Sequence, residues 1–378
     1  MAKPFSACAE SGASFPDSAE TLPESGEGFP DHGIPVITLT LDPEEFRKVL
    51  ESPRHEYQAE ACTLRIDVPE GYACEYGPFD ETLIGTELPL KYLRGRGNST
   101  WLEAKKPFKL RLEESADILG MGANEHWVLL ANAKDESLLR NRIISCIGEA
   151  FGLPYTSKFV PVDLVVNGEY QGSYLLGEQV RIGENRIEID KLKKSVTEEP
   201  ELGGGYLLAM APSEKDPEIG KIILNSGLSF LVDTPDFTEY NESQQEALAA
   251  QKAYIGNYLQ RVEDAVYGED FRNGQGEALS DLMDLESAAK YWWVQTFAFN
   301  DDGFASTSTY LYKVRDGKLY WGPLWDFDRS LWLNAGSSVQ HRAFMPGVLL
   351  NTSTTRPITK ATVRVMFMCQ VTGMRNIR

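Results

Sequence analysis

The sequence contains few cysteines and histidines, and neither type is spaced as in a zinc site. There are 5 cysteines and 4 histidines among 378 residues. No CxxC or HExxH pattern brings them together, which argues against a zinc ribbon, an HExxH hydrolase and a dense disulfide framework. The spacing leaves only a single Cys62–Cys74 disulfide open.

Long apolar runs and an excess of basic charge are also absent. No stretch of about 18 apolar residues occurs, so the sequence predicts no transmembrane segment, and no signal-peptide pattern follows Met1. Lys and Arg number 37 against 56 Asp and Glu, which gives a net charge of −19. This balance argues against a nucleic-acid partner, whose phosphates require clustered basic residues. It fits a basic protein partner or simply a well-solvated surface.

Composition divides the chain into three parts. Residues 1–30 are rich in acids, proline and glycine and predict a flexible acidic leader. Residues 31–200 alternate strand-like runs with turn residues and predict a mixed sheet with one docked helix. Residues 201–378 predict mainly helices with candidate metal and catalytic loops. No acidic residue follows Asp328, which predicts a C-terminal end that is incomplete or altered by a frameshift.

Several elements have clear local signals. Asn167-Gly168 and Asp316-Gly317 each join two strand-like runs and predict hairpins, since these pairs adopt the positive φ angles of tight turns. Helical patterns cover 135–151, 241–268 and 284–299. In the first of these, an apolar face predicts the side that docks on the sheet. That face consists of Leu138, Leu139, Ile143, Ile147 and Phe151.

A glycine-rich segment, Arg94-Gly-Arg-Gly-Asn-Ser-Thr-Trp101, precedes the lysine-rich run Lys105–Leu112. Glycines let backbone N–H groups approach anionic oxygens closely, and a lysine on the next strand can reach the same anion. The pattern indicates phosphate binding. A simple tight turn is the alternative, because the segment is neither a GxGxxG motif nor a Walker loop.

Carboxylates recur at the end of one predicted helix and after the second hairpin. The first group is Asn300, Asp301 and Asp302, and the second is Asp326 and Asp328. Oxygen ligands of this kind suit a hard divalent cation that neutralises a triphosphate. Helix caps and solvated turn acids are the alternative interpretation.

These motifs, in this order, resemble the CotH (spore coat protein H) kinase family from about Ile34 to Leu333. The resemblance also includes Asn132, the Asp135-Glu-Ser segment, the Arg140-Asn141 pair and the run from Val166 to Leu176. It implies an α/β (α+β) architecture: a two-lobed, divergent protein-kinase-like fold with a mixed N-lobe sheet and a mainly helical C-lobe. It also implies transfer of the ATP γ-phosphate to a protein.

The resemblance assigns roles to individual residues. Asp326 and Asp328 correspond to metal ligands, and Asp302 corresponds to the catalytic acid, with Asp301 as its rival. The Arg140-Asn141 pair is expected to face the cleft, with Asp135 or Glu136 as a possible anchor for the phosphate-binding lysine. The implied nucleotide-binding residues are Arg94, Gly95, Gly97, Asn98, Ser99, Lys106, Lys109, Arg140 and Glu178. Lys106 and Lys109 are alternatives for the phosphate-binding lysine, because alternation along a strand sends them to opposite sides.

The implied cofactors are ATP and Mg²⁺ or Mn²⁺, and the implied partner is a protein substrate, basic and Ser-rich, at a spore coat or extracytoplasmic surface. Thr307 stands where a typical protein kinase has a second metal-binding asparagine, which places a second metal site in question. Two rival functions follow: a non-catalytic binding module with the same fold, and nucleotidyl transfer to a protein with release of pyrophosphate.

Overall fold

The structure is a computed structural model, and it describes residues 32–53, 56–210, 214, 216–300 and 308–331. The predicted leader and the acid-free end after Leu331 lie outside this part of the chain.

Seven strands form a closed barrel in the order β1-β2-β3-β4-β5-β7-β6. Their bounds are β1 Val36–Thr40, β2 Cys62–Asp67, β3 Glu87–Gly95, β4 Phe108–Ala116, β5 Asn124–Leu130, β6 Phe159–Val166 and β7 Glu169–Glu178. Neighbouring strands are antiparallel except for β1 and β6, whose parallel pairing closes the barrel. Helix α1, Pro43–Glu51, follows β1 and begins where Asp42 caps two backbone N–H groups.

Alternation along β4 decides which side chains enter the barrel. Phe108, Leu110 and Leu112 are each at most 2% exposed and contribute to the barrel core. Lys109 and Arg111 therefore point to the outer surface, since successive strand residues face opposite sides.

A second, five-stranded sheet has the order β12-β11-β8-β10-β9, with all pairs antiparallel. Its strands are β8 Tyr206–Met210, β9 Lys221–Ile223, β10 Ser229–Thr234, β11 Tyr310–Lys313 and β12 Leu319–Trp321. Helix α2, Arg140–Ala150, lies between β5 and β6 along the chain, whereas α3 Gln245–Tyr267, α4 Leu279–Leu282 and α5 Leu285–Ala298 lie between β10 and β11. The second sheet shares one hydrophobic core with α3, α4 and α5.

The predicted two-lobed fold with a mainly helical C-lobe was wrong. The structure has a closed barrel, and a second, five-stranded sheet lies within residues 206–321, in the region predicted to be mainly helical. Two strands of the second sheet, β8 and β9, lack the sequence pattern by which a strand is recognised. Tyr206–Met210 is buried at all five positions, so it lacks the period-two pattern of a half-exposed strand. The neighbouring strand Lys221–Ile223 has only 3 residues.

The predicted docking face of α2 was wrong for most of its residues, although Ile147 does pack against the hydrophobic core. Leu139, Ile143 and Phe151 are 46%, 40% and 49% exposed, respectively. The side of α2 that faces the protein is instead largely polar or small, and its buried residues are Asn141, Arg142, Ile144, Ser145 and Gly148. Hydrophobic periodicity was misleading here because this helix buries hydrogen-bonding groups beside the cleft described below.

Both hairpins are confirmed: β6 and β7 meet at Asn167-Gly168, and β11 and β12 meet at Asp316-Gly317. Cys62 and Cys74 are free thiols. None of the helices in the described part of the chain is long and apolar enough to span a membrane.

Candidate active site

A cleft of about 310 Å³ is lined by the outer face of the barrel, the second sheet and the loop after β12. It collects residues from motifs that are more than 200 positions apart in the sequence. The charged residues along its walls are Arg94, Arg96, Lys109, Asp233, Asp326, Asp328 and Arg329. The polar and apolar ones are Gly97, Asn98, Ser99, Thr100, Pro107, Val128, Leu130, Ala131, Asn132, Asn141, Gln179, Val180, Ser308, Tyr310 and Trp325.

The glycine-rich segment forms the loop between β3 and β4. Arg96 N–H donates to the Pro107 carbonyl over 3.2 Å and closes the base of this loop. Gly97 has φ of 86°, a left-handed conformation that favours glycine. At Gly95 an added Cβ would collide with the Trp101 ring. Both glycines are therefore required by the shape of the loop, which supplies Gly97, Asn98 and Ser99 to the cleft wall.

The structure separates the two candidate lysines. Lys109 lines the cleft, whereas the Lys106 ammonium donates to the Trp101 carbonyl over 2.6 Å. Burial, together with the nearby Arg94, lowers the pKa of Lys109 to about 8, and Asp233 opposes this shift. A lysine that has lost part of its water and stands among other cations is well suited to bind an anion.

The acidic loop after β12 is held in an uncommon conformation. Asp326 has φ of 68°, which is rare for a residue with a side chain. The Ser308 hydroxyl donates to its Oδ2 over 2.7 Å, and Asn300 Nδ2 donates to its backbone carbonyl over 3.3 Å. Asp328, which is 6% exposed, also lines the cleft. These contacts fix the direction of the Asp326 carboxylate.

Two asparagines connect this loop to the barrel. Phe327 N–H donates to Asn141 Oδ1 over 2.8 Å, and Asn141 Nδ2 donates to Asn132 Oδ1 over 3.0 Å. Asn132 Nδ2 in turn donates to the Leu138 carbonyl over 3.0 Å. Both asparagines are buried, so these bonds are made away from water, where an unsatisfied amide would be costly. The pair sets the position of the loop that carries Asp326.

Arg140 and Glu178, although predicted to bind nucleotide, make other contacts. Arg140 forms an ion pair with Asp135, whose carboxylate also accepts the Ser137 and Arg140 backbone N–H groups. Glu178 lies 2.9 Å from Arg186 in a buried ion pair. Neither Arg140 nor Glu178 lines the cleft, but Gln179 and Val180, which directly follow Glu178, do.

Asp301 and Asp302 lie outside the described residues. Asp326 and Asp328 are oxygen donors on one loop, a donor set that fits a hard cation such as Mg²⁺ or Mn²⁺. Within the ranges that the structure describes, no three metal-ligating side chains converge. Two carboxylates suffice for Mg²⁺ when substrate phosphates and waters complete the octahedron.

The sequence did not single out Arg96, Asp233, Tyr310 or Trp325 as site residues. Arg96 stands over the Trp325 ring at 5.5 Å from its centroid, so these two side chains form one wall together. Asp233 keeps exposed surface, yet the cleft removes enough water from its carboxylate to raise its pKa to about 6, against the opposing effect of Lys109. Asp233 and Tyr310 belong to the second sheet, whose pairing brings distant strands together, and no local sequence signal marks them.

The comparison with protein families gives a match to the model described as CotH kinase protein over residues 93–365. The match spans well over half of the 378 residues and includes every described residue that lines the cleft. No curated protein matches the chain. A family match over this length, together with the glycine-rich loop, lysine and acidic loop in a single cleft, leads to one conclusion: this chain belongs to the CotH kinase family.

Proposed function

We propose that this chain is an ATP-dependent protein kinase that transfers the γ-phosphate to Ser or Thr of a spore-coat or surface protein. A kinase-like function follows from the family, while the substrate, the cofactors and the site residues belong to the proposal. One observation carries it: Lys109 and Asp326, from strand β4 and the loop after β12, line the same cleft.

The barrel side of the cleft would bind the nucleotide phosphates. Lys109, Arg94 and Arg96 supply positive charge there, although the chain as a whole has a net charge of −19. The loop from Gly97 to Ser99 would add backbone and side-chain donors. Charge neutralisation and positioning supply most of the catalysis in phosphoryl transfer.

The acidic side would hold the metal and the acceptor. Asp326 and Asp328 would bind Mg²⁺ or Mn²⁺, which when bound neutralises the triphosphate and orients it. Asp302, with Asp301 as the alternative, would accept the proton of the substrate hydroxyl at a carboxylate oxygen. Apolar walls at Val128 and Val180 would exclude water around the base.

The test is phosphate transfer from γ-labelled ATP with Mg²⁺ or Mn²⁺ to a basic, Ser-rich protein. We expect labelled acceptor and ADP from the wild type. For Asp326→Asn we expect a loss of at least about a hundredfold, the scale of removing one electrostatic group from a transition state. Glu246→Gln, an exposed carboxylate in the first turn of α3, is the matched control.

Each failure has a distinct meaning. A folded protein that binds no nucleotide with either metal would instead be a non-catalytic binding module. Release of pyrophosphate with a nucleotidylated acceptor would establish nucleotidyl transfer in place of the kinase reaction.

A further inference from the structure

A carboxylate, Asp233, belongs to the cleft but has no role in the phosphate and metal chemistry above. It lies on β10 of the second sheet, whereas Lys109 lies on β4 of the barrel. Both line the same cleft. Asp233 therefore contributes negative charge to the part of the site where Lys109 contributes positive charge.

The Asp233 carboxylate accepts a hydrogen bond from the neighbouring Thr234 side chain and keeps further acceptor capacity for a ligand. Asp233 is exposed, and among the described residues no cationic group lies within the 4.0 Å ion-pair distance of its carboxylate. Lys109 and Arg181 nevertheless act on it electrostatically, so they stand near it without closing a salt bridge. The cleft that Lys109 and Asp233 both line provides space for a bound group beside Asp233.

The chemistry of a nucleotide limits what this carboxylate can contact. Phosphate oxygens are negatively charged and would be repelled by Asp233. The apolar faces of the base suit Val128, Leu130 and Val180 instead. A carboxylate accepts hydrogen bonds with two oxygens, and the 2′- and 3′-hydroxyls of ribose are two adjacent neutral donors. Ribose joins the phosphates to the base, so a nucleotide whose phosphates reach Lys109 and whose base packs on the apolar wall has its ribose in the same cleft as Asp233.

We infer that Asp233 binds the ribose hydroxyls of the nucleotide and makes the site selective for ribonucleotides. This inference rests on the proposed function, because it requires that the cleft bind ATP. Asp233 is then a specificity-determining residue on the second sheet, and nucleotide binding involves both sheets.

The test measures the affinities of ADP, 2′-deoxy-ADP and GDP by calorimetry with Mg²⁺, for the wild type, Asp233→Ala and the control Glu113→Gln. Glu113 is an exposed carboxylate on β4 that does not line the cleft. We expect the wild type and the control to bind ADP roughly tenfold or more tighter than 2′-deoxy-ADP, the scale of a hydrogen bond to a charged group. For Asp233→Ala we expect this ratio to fall close to one.

Two results would overturn the inference while leaving the proposed function intact. In one, Asp233→Ala weakens ADP and 2′-deoxy-ADP by the same factor. In the other, the preference for ADP over GDP changes while the ribose preference does not, which would assign Asp233 to the base. If the folded wild type binds none of the three nucleotides, the proposed function itself fails.

Discussion

At the scale of single residues, the environment of Lys109 makes nucleotide binding sensitive to pH. The groups that act on it are Arg94 and Arg96 on the glycine-rich side, Arg181 after β7 and Asp233 on β10. Burial and the arginines bring its pKa down to about 8, below the ordinary value of 10.5. Above this pH the free protein loses the charge that attracts phosphate, and binding must take up a proton.

We therefore expect the affinity for ADP to be nearly constant from about pH 7 to 7.5, where Asp233 is charged and Lys109 is protonated, and to fall above about pH 8, by up to tenfold per pH unit. Calorimetry in buffers of different ionisation enthalpy would show the proton uptake directly. Lys109→Arg keeps its charge throughout this range, so its affinity should vary little with pH. An equal decline in the variant would assign the titration to another group.

The two candidate lysines show what sequence reasoning could and could not decide. Strand alternation could not separate them, because β4 begins at Phe108 and Lys106 lies before it. The decisive pattern is Phe108, Leu110 and Leu112, whose burial sends Lys109 outward. This alternation is visible in the sequence. Only the closed barrel shows that the apolar side of β4 faces the core and that the side with Lys109 lines the cleft.

At the scale of secondary-structure elements, α2 acts as a support for the acidic loop. Its buried Asn141 accepts the Phe327 N–H, and this contact positions Asp326. Asn141→Leu keeps a similar size but leaves this backbone donor unsatisfied. Without this hydrogen bond, fewer contacts hold the loop in the conformation that gives Asp326 its positive φ.

We expect Asn141→Leu to lower kcat for phosphate transfer roughly tenfold with a smaller change in KM for ATP, because the lost contact is worth about 1–2 kcal/mol. Steady-state kinetics with varied ATP would separate the two parameters, and Asn141→Asp should restore part of kcat because it keeps the acceptor oxygen. A variant with an unchanged kcat would show that the loop is positioned by other contacts.

The buried ion pair between Glu178 and Arg186 leads to a prediction about the free energy of unfolding. Both side chains are buried, and the Glu178 carboxylate also accepts the Lys158 N–H over 2.9 Å. Burial raises the pKa of Glu178 to about 7, an effect that Arg186 opposes. At pH 8 the carboxylate is therefore mostly charged, and removing it leaves Arg186 buried without its partner.

We expect Glu178→Ala to lower the free energy of unfolding at pH 8 by roughly 3–5 kcal/mol, as measured by urea denaturation. The exposed Glu246→Ala should change it by less than about 0.5 kcal/mol. A small effect for Glu178→Ala would indicate that water enters and solvates Arg186.

Among the elements, local signals predicted the hairpins and the long helices well, since Asn-Gly and Asp-Gly turns and helical periodicity are properties of short segments. The sheet that joins the predicted hairpin β11–β12 to β8, β9 and β10 was missed because its strands come from 206–234 and 310–321 and pair only through the tertiary fold. The same limitation hid Asp233 and Tyr310, whereas the motif residues of the barrel loop and the acidic loop could be named from the sequence.

At the scale of the whole molecule, the cleft depends on both sheets, so a ligand bound there should stabilise both together. At a nucleotide concentration 100 times Kd the stabilisation is about 2.7 kcal/mol. For a folded region of about 300 residues this corresponds to a rise in Tm of about 4 °C. We expect scanning calorimetry with Mg²⁺ and ADP to show one transition that moves by this amount.

Two separate transitions, of which only one moves with ADP, would contradict this expectation and indicate that the nucleotide contacts a single sheet. Asp233→Ala is informative here as well, since it should reduce the shift for ADP more than that for 2′-deoxy-ADP, which has only the 3′-hydroxyl to lose as a partner.

Trp325 gives the cleft an intrinsic optical reporter. The chain has 7 tryptophans, and Trp325 is the one that lines the described part of the cleft, with the Arg96 guanidinium over its ring. A nucleotide that draws Arg96 toward its phosphates would change the charge beside the indole and therefore its emission. Binding could then be followed in unlabelled protein, with Trp325→Phe giving the silent background, even before any acceptor protein is known.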